Sequence, residues 1–92
     1  MLPITKLQNL PQASGVYKVL TATGTVIYVG QAKNIYARWN KGHHKLSDIL
    51  KECGTTAYIQ WVIVPEWLLN RAESAAIRFY HPKLNQKKPP AV

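Results

Sequence analysis

Cysteine occurs once in this chain, as Cys53, so an intrachain disulfide and a cysteine-cluster metal site are both excluded. The thiol reads as a small buried or half-buried side chain in a reducing compartment. Acidic residues are nearly as scarce: Asp48, Glu52, Glu66 and Glu73 are the only four. Long apolar runs are missing too. The longest, Trp61 to Val64, is far too short to span a bilayer, and no charged segment precedes an apolar stretch at the start. The expectation is a soluble, cytoplasmic protein with no membrane partner.

What the chain does contain is enough apolar mass to fold. Its 92 residues are 47% hydrophobic, with three Trp and five Tyr, which excludes a disordered polybasic tail. That length implies one domain over residues 1–92, with its core at about 14–85 and a loose basic tail at 86–92. A core this small favours a surface site over an enclosed cofactor cavity. Twelve Lys and Arg against four acids give a formal charge of +8. Such a field attracts polyanions. Nucleic acid is the favoured partner, ahead of a membrane surface.

Along the chain, Pro3 and Pro11 mark residues 2–12 as an extended lead-in. Gly15–Leu20 and Thr25–Val29 read as a β-hairpin joined by residues 21–24. Leu20 then faces Thr25, and Tyr17 faces Tyr28, in what could be an ordinary aromatic cross-strand pair. Gly30 ends the strand, and Asn34 caps a helix to Asn40 that buries Ile35 and Trp39 and carries Arg38 beside them. His43 and His44 fall in a basic turn, where adjacent histidines are more often exposed polar residues than zinc ligands. Ser47 and Gly54 bracket a second short helix.

Residues 57–64 read as a third strand, apolar enough to be central and covered on both faces. Pro65 and Glu66 open a last helix to Phe79, with Leu68, Ala72, Ala75 and Phe79 as its core stripe. Trp39, Trp61 and Trp67 all fall at expected core positions. Asn70, Arg71, Ser74 and Arg78 form the helix's polar face. Glu73 does not, having Leu69 and Ile77 one turn away on either side. An acid on such a flank costs free energy unless it is paired or bound to metal, so it is either a buried ion-pair partner or a cation ligand.

Gly15-Val16-Tyr17, Tyr28-Val29-Gly30, Arg38, Glu73 within a helix, then Pro82 and Asn85 form an ordered set. That set resembles the GIY-YIG endonuclease superfamily, over most of the chain from Ser14 to Asn85. Val16 and Val29 replace the motif's isoleucines, and Ala32 stands where many members have Ser or Thr. The resemblance implies an α/β (α+β) domain, a small three-stranded antiparallel sheet flanked by helices, with the site on one face. It implies a metal-dependent endonuclease that uses one divalent ion, Mg²⁺ or Mn²⁺, bound mainly by Glu73. Tyr17 is then the general base for in-line attack by water and Tyr28 the positioning group, though the two could be exchanged. Arg38 stabilises phosphate charge, and His43 loosely matches a histidine of some members. Gly30, Lys33, Lys41 and Lys45 would contact nucleic acid, while Gly15 and Asn85 support the site. DNA is the expected substrate. Specificity would come from a protein partner or a homodimer, because family members usually carry a second, target-choosing domain. The competing reading is a basic nucleic-acid-binding module that no longer cuts.

Overall fold

Four strands and three helices make up the computed structural model, which describes residues 1–43 and 45–85. His44 and the expected basic tail at 86–92 lie outside the described residues. The strands are β1 (Leu2–Pro3), β2 (Gly15–Leu20), β3 (Val26–Ala32) and β4 (Tyr58–Ile63), and the helices α1 (Ile35–Asn40), α2 (Leu46–Cys53) and α3 (Leu69–Tyr80). They form one antiparallel sheet in the order β1-β4-β2-β3. The lead-in is therefore not plain extended chain. Leu2 and Pro3 add a short fourth strand against Ile59 and Tyr58, and Ile4–Asn9 wind into 3-10 turns that bury Ile4.

The hairpin forms with a different register from the expected one. Tyr17 pairs with Gly30 and Val19 with Tyr28, and an irregularity after Val19 skips Ile27 so that Leu20 meets Val26. A one-residue bulge of this kind cannot be read from loop length alone. Tyr17 and Tyr28 still share a face, since successive side chains alternate and the two sit diagonally, with ring centroids 6.3 Å apart.

Alternation sorts the sheet into two surfaces. Tyr17, Val19, Tyr28 and Ile59 point into a core completed by Ile4, Leu10, Ile35, Trp39, Ile49 and Ala57. Lys18 and Gln31 point the other way and meet α3, through Lys18 Nζ to Tyr80 at 3.0 Å and Gln31 to Asn70 at 2.6 Å. β2 is the central strand. β4 is central only at its start: beyond the two residues paired with β1 its outer edge is open, and Val62 and Ile63 are 66% and 57% exposed, against the expectation of a strand covered on both faces.

Local chemistry sets the helix ends. Asn34 accepts the Ala37 N–H at 3.0 Å and caps α1 as expected. Gly54, at φ 60, ends α2, but the residue before that helix is Lys45 and no side chain caps it, so Ser47 does not have the cap role. The chain enters α3 through a 3-10 turn at Glu66–Leu68. Leu69, Ala72, Glu73, Ala76 and Ile77 make the inner face of α3. The expected stripe through Ala75 and Phe79 is solvent-facing, with Phe79 77% exposed and Trp67 83% exposed. Glu73 thus lies within the sheet-facing surface and not on its flank. Among the described residues no helix is long and apolar enough to cross a membrane.

Candidate active site

β2 and β3 place the two tyrosines. Tyr17 is 1% exposed and packs edge-on against Trp39 of α1, with centroids 5.2 Å apart. Its ring lies directly over Gly30, where a Cβ would come within 2.6 Å of the ring carbon and hydroxyl oxygen. Gly30 is therefore required by the tyrosine in the facing strand, a packing role distinct from the expected contact with nucleic acid. Gly15 is confined in the same way, since a Cβ there would strike the Val62 carbonyl and the Ile35 side chain.

His43 completes the cluster. Its ring stacks on Trp39 with centroids 4.0 Å apart and 11° between planes, and it is 4% exposed, contrary to the expected exposed turn histidine. Nε2 lies 2.8 Å from the Tyr17 hydroxyl, and Nδ1 accepts the Lys45 backbone N–H at 3.1 Å. A backbone N–H can only donate, so in the neutral ring the proton sits on Nε2 and is donated to the Tyr17 oxygen. Arg38, exposed on α1, is near enough to that phenol for its positive charge to favour the phenolate.

Burial pushes the Tyr17 phenol well above its ordinary value, and the neighbouring Tyr28 adds to the rise; the nearby Arg38 guanidinium opposes this without offsetting it. Tyr28 is raised chiefly by burial, with Arg38 pulling down and Glu73 pushing up. Both rings are therefore neutral phenols at neutral pH in this fold. The downward shift expected of a general base is not present: desolvation outweighs one arginine.

Among the described residues Glu73 contributes the only carboxylate whose charge bears on both phenols. It accepts Gln31 Nε2 at 3.2 Å, and that same amide nitrogen donates to Asn70 Oδ1. The other three acids are engaged by lysines: Lys33–Glu66 and Lys45–Asp48 at 3.9 Å, and Lys83–Glu52 at 2.8 Å. Among the described residues Glu73 takes part in no ion pair. It also belongs to no cluster of three or more His, Cys, Asp or Glu able to enclose a metal.

Asn85 acts on β3 from outside the sheet. Its side-chain amide accepts the Val29 N–H at 2.7 Å and donates to the Val29 carbonyl at 2.8 Å, as a neighbouring strand would. Of the lysines, Lys33 and Lys45 are held at the rim by their acidic partners, and Lys41 is exposed. The sequence reading puts Trp39 in the core and Asn70 on the polar face of the last helix, assigns neither to the site, and gives Gln31 no role. Strand alternation does send Gln31 to the face opposite Gly30, but nothing local reveals that α3 brings Glu73 to it.

An antiparallel sheet with its tyrosines over a strand glycine, an arginine and a histidine on one phenol, and one uncommitted carboxylate define a GIY-YIG type of domain. No family model matches the chain. It superposes on the GIY-YIG N-terminal endonuclease domain of UvrC from Thermotoga maritima, bound there to its catalytic cation, magnesium, with a TM-score of 0.72, 26% identity, and coverage of 89% of this chain and 93% of that one. A point mutant of the same domain, also bound to its catalytic divalent cation, gives a TM-score of 0.74 at 26% identity. In sequence it is 32% identical over 84 residues to UvrABC system protein C of Psychrobacter cryohalolentis and 34% identical over 85 residues to that of Bacteroides fragilis. These alignments cover 91% and 86% of this chain but only 13% and 14% of those proteins. The chain belongs to the GIY-YIG endonuclease superfamily.

Proposed function

We propose that this domain is a divalent-metal-dependent endonuclease that hydrolyses phosphodiester bonds in DNA. One observation carries the reading: three of four carboxylates are engaged by lysines, whereas Glu73 has only an amide for a partner among the described residues and its charge bears on both tyrosines. A carboxylate there repels phosphate, so a domain that merely bound nucleic acid would gain by lacking it.

The donor set fits Mg²⁺ or Mn²⁺, because such hard ions are commonly held by one or two carboxylates, with water and substrate phosphate completing the shell. Glu73 would hold the ion, which when bound offsets negative charge developing on the phosphoryl oxygens and draws protons off water. Arg38 places a second positive charge where that phosphate negativity grows. Tyr17 is the base in its phenolate form, and that form receives a hydrogen bond from His43 Nε2–H and is favoured by the charge of Arg38. His43 cannot take the Tyr17 proton while Lys45 occupies Nδ1, so it serves as a fixed donor that orients the oxygen. Tyr28, diagonal to Tyr17, positions water or phosphate. Asn85 holds β3 in line, and Lys33, Lys41 and Lys45 supply phosphate contacts at the rim. We assign sequence choice to a partner chain or a second copy, the whole chain acting as one unit, and the reducing cytoplasm, consistent with the lone Cys53, as its location.

Glu73→Gln tests this. The new side chain can still accept from Gln31, so the melting temperature stays close to the parent's. Cleavage of plasmid DNA in Mg²⁺ falls about a thousandfold, equivalent to about 4 kcal/mol of lost transition-state stabilisation. Affinity for DNA in chelator holds or rises. A parent that never cuts, or a variant that cuts as well as the parent, rejects the assignment; cleavage confined to RNA would correct the substrate.

A further inference from the structure

Trp67 stands outside the core of this fold. It is 83% exposed, whereas Trp39 is 2% exposed and sits in the core. An exposed indole offers a flat apolar face with a polar N–H at its edge, the kind of side chain enriched where surfaces meet. Its surroundings restrict what it meets. Trp67, Arg71, Ser74 and Arg78 follow one another at spacings of four, three and four residues, and all four are exposed. That spacing lays them in one stripe along the outside of α3 and its entry turn. The stripe contains no acid. Glu66 beside Trp67 is already matched by Lys33, whose side chain is 81% exposed.

We propose that this stripe is a second nucleic-acid contact, on which Trp67 stacks an unpaired base while Arg71 and Arg78 take phosphates of the same strand. An aromatic platform continued by cations is the arrangement that binds single strands without reading sequence, because every base has a π-face. A blunt duplex hides those faces within its own stack, and therefore gains the arginine contacts but not the tryptophan. Geometry ties the stripe to the cleavage site. Arg71 lies two residues before Glu73, and Trp67 lies six residues before it, about 9–10 Å along the helix axis at 1.5 Å per residue, or roughly three stacked bases. On a helical wheel the stripe is about a third of a turn round from Glu73. The substrate class is accordingly DNA with unpaired nucleotides within a few positions of the cut: a gap, a flap, a bubble or a single strand. The inference rests on the nuclease reading for the position of the cut, but not for the binding surface itself.

The test uses the complete chain in chelator, where nothing is cleaved, with a fluorescein-labelled oligo(dT) 12-mer and a blunt 12-base-pair duplex as probes. Tryptophan emission responds mainly through Trp67, the exposed indole of the three. Expected results are quenching by the single strand and little by the duplex. For Trp67→Ala we expect the quenching to disappear and single-strand affinity to fall roughly tenfold or more, with Trp67→Tyr retaining most of it. Arg71→Ala with Arg78→Ala lowers the salt slope of single-strand binding by about 1.4, at about 0.7 per phosphate. Because these side chains are exposed, all variants should melt with the parent, and any that does not is replaced by its conservative partner, Trp67→Tyr or Arg→Lys. Equal single-strand affinity for Trp67→Ala and parent overturns the proposal and leaves Trp67 as a contact for another protein surface. The two readings fail separately: a parent that stacks the single strand but never cuts in Mg²⁺ sinks the nuclease and keeps the surface. A parent that cuts with Trp67 silent does the opposite.

Discussion

Gly30→Ala is expected to disable the site through a contact two strands share. The added Cβ would lie 2.6 Å from the Tyr17 ring carbon and its hydroxyl oxygen, and 2.7 Å from a second ring carbon. Non-bonded carbons settle at about 3.5–4.0 Å, so the ring must retreat by roughly 1 Å. It has nowhere to go. Tyr17 is 1% exposed, with Trp39 against its edge and its hydroxyl held 2.8 Å from His43. A retreat of that size breaks the histidine bond. Overpacking costs about 1–3 kcal/mol and the buried hydrogen bond about 1 kcal/mol more. A domain of this size loses about 4–8 °C per kcal/mol, so calorimetry should show melting lower by on the order of 10–30 °C. Activity measured well below that temperature should fall further than stability does, because the phenol oxygen has moved. Combining Gly30→Ala with Tyr17→Leu removes the clashing ring, so the two stability losses should sum to clearly less than their separate total. Strict additivity, or a melting temperature within 2 °C of the parent on the order of experimental error, would refute the steric argument.

Two other outcomes are expected. Asn85→Ala leaves the Val29 N–H and carbonyl at the edge of β3 without their protein partner, costing about 1–3 kcal/mol; hydrogen exchange should show the Val29 amide opening faster than those of β2, and unchanged protection would contradict the role. Because burial raises the Tyr17 pKa, only a small phenolate fraction exists at neutral pH. That fraction, and with it kcat/KM at saturating Mg²⁺, should rise about tenfold per pH unit between roughly pH 6.5 and 8.5, as for any base working below its pKa. Tyr17→Phe should be slow and lose this slope; a flat profile in the parent would remove Tyr17 as the base.

The sequence by itself determined what depends on neighbours a few residues apart. Asn34 caps α1 and Gly54 ends α2 because the cap side chain and the positive φ are local requirements. The two tripeptides, Arg38, Glu73 and Asn85 stood out by type and order, and they were enough to name the family. What tertiary structure decided was the choice among nearly equal local options. Helix α3 offers two apolar stripes, one through Ala75 and Phe79 and one through Leu69, Ala76 and Ile77, about a third of a turn apart on a helical wheel. Packing against β2 and β3 selected the second, which turned Glu73 inward and left Phe79 and Trp67 in water. The hairpin register turned on the skipped Ile27, and the fourth strand on two residues that only β4 can recruit. His43 reads as a turn residue until Trp39 of α1 supplies a ring to stack on and Tyr17 a hydroxyl to meet. Burial energy is gained only against particular neighbours, and those neighbours lie far away in sequence.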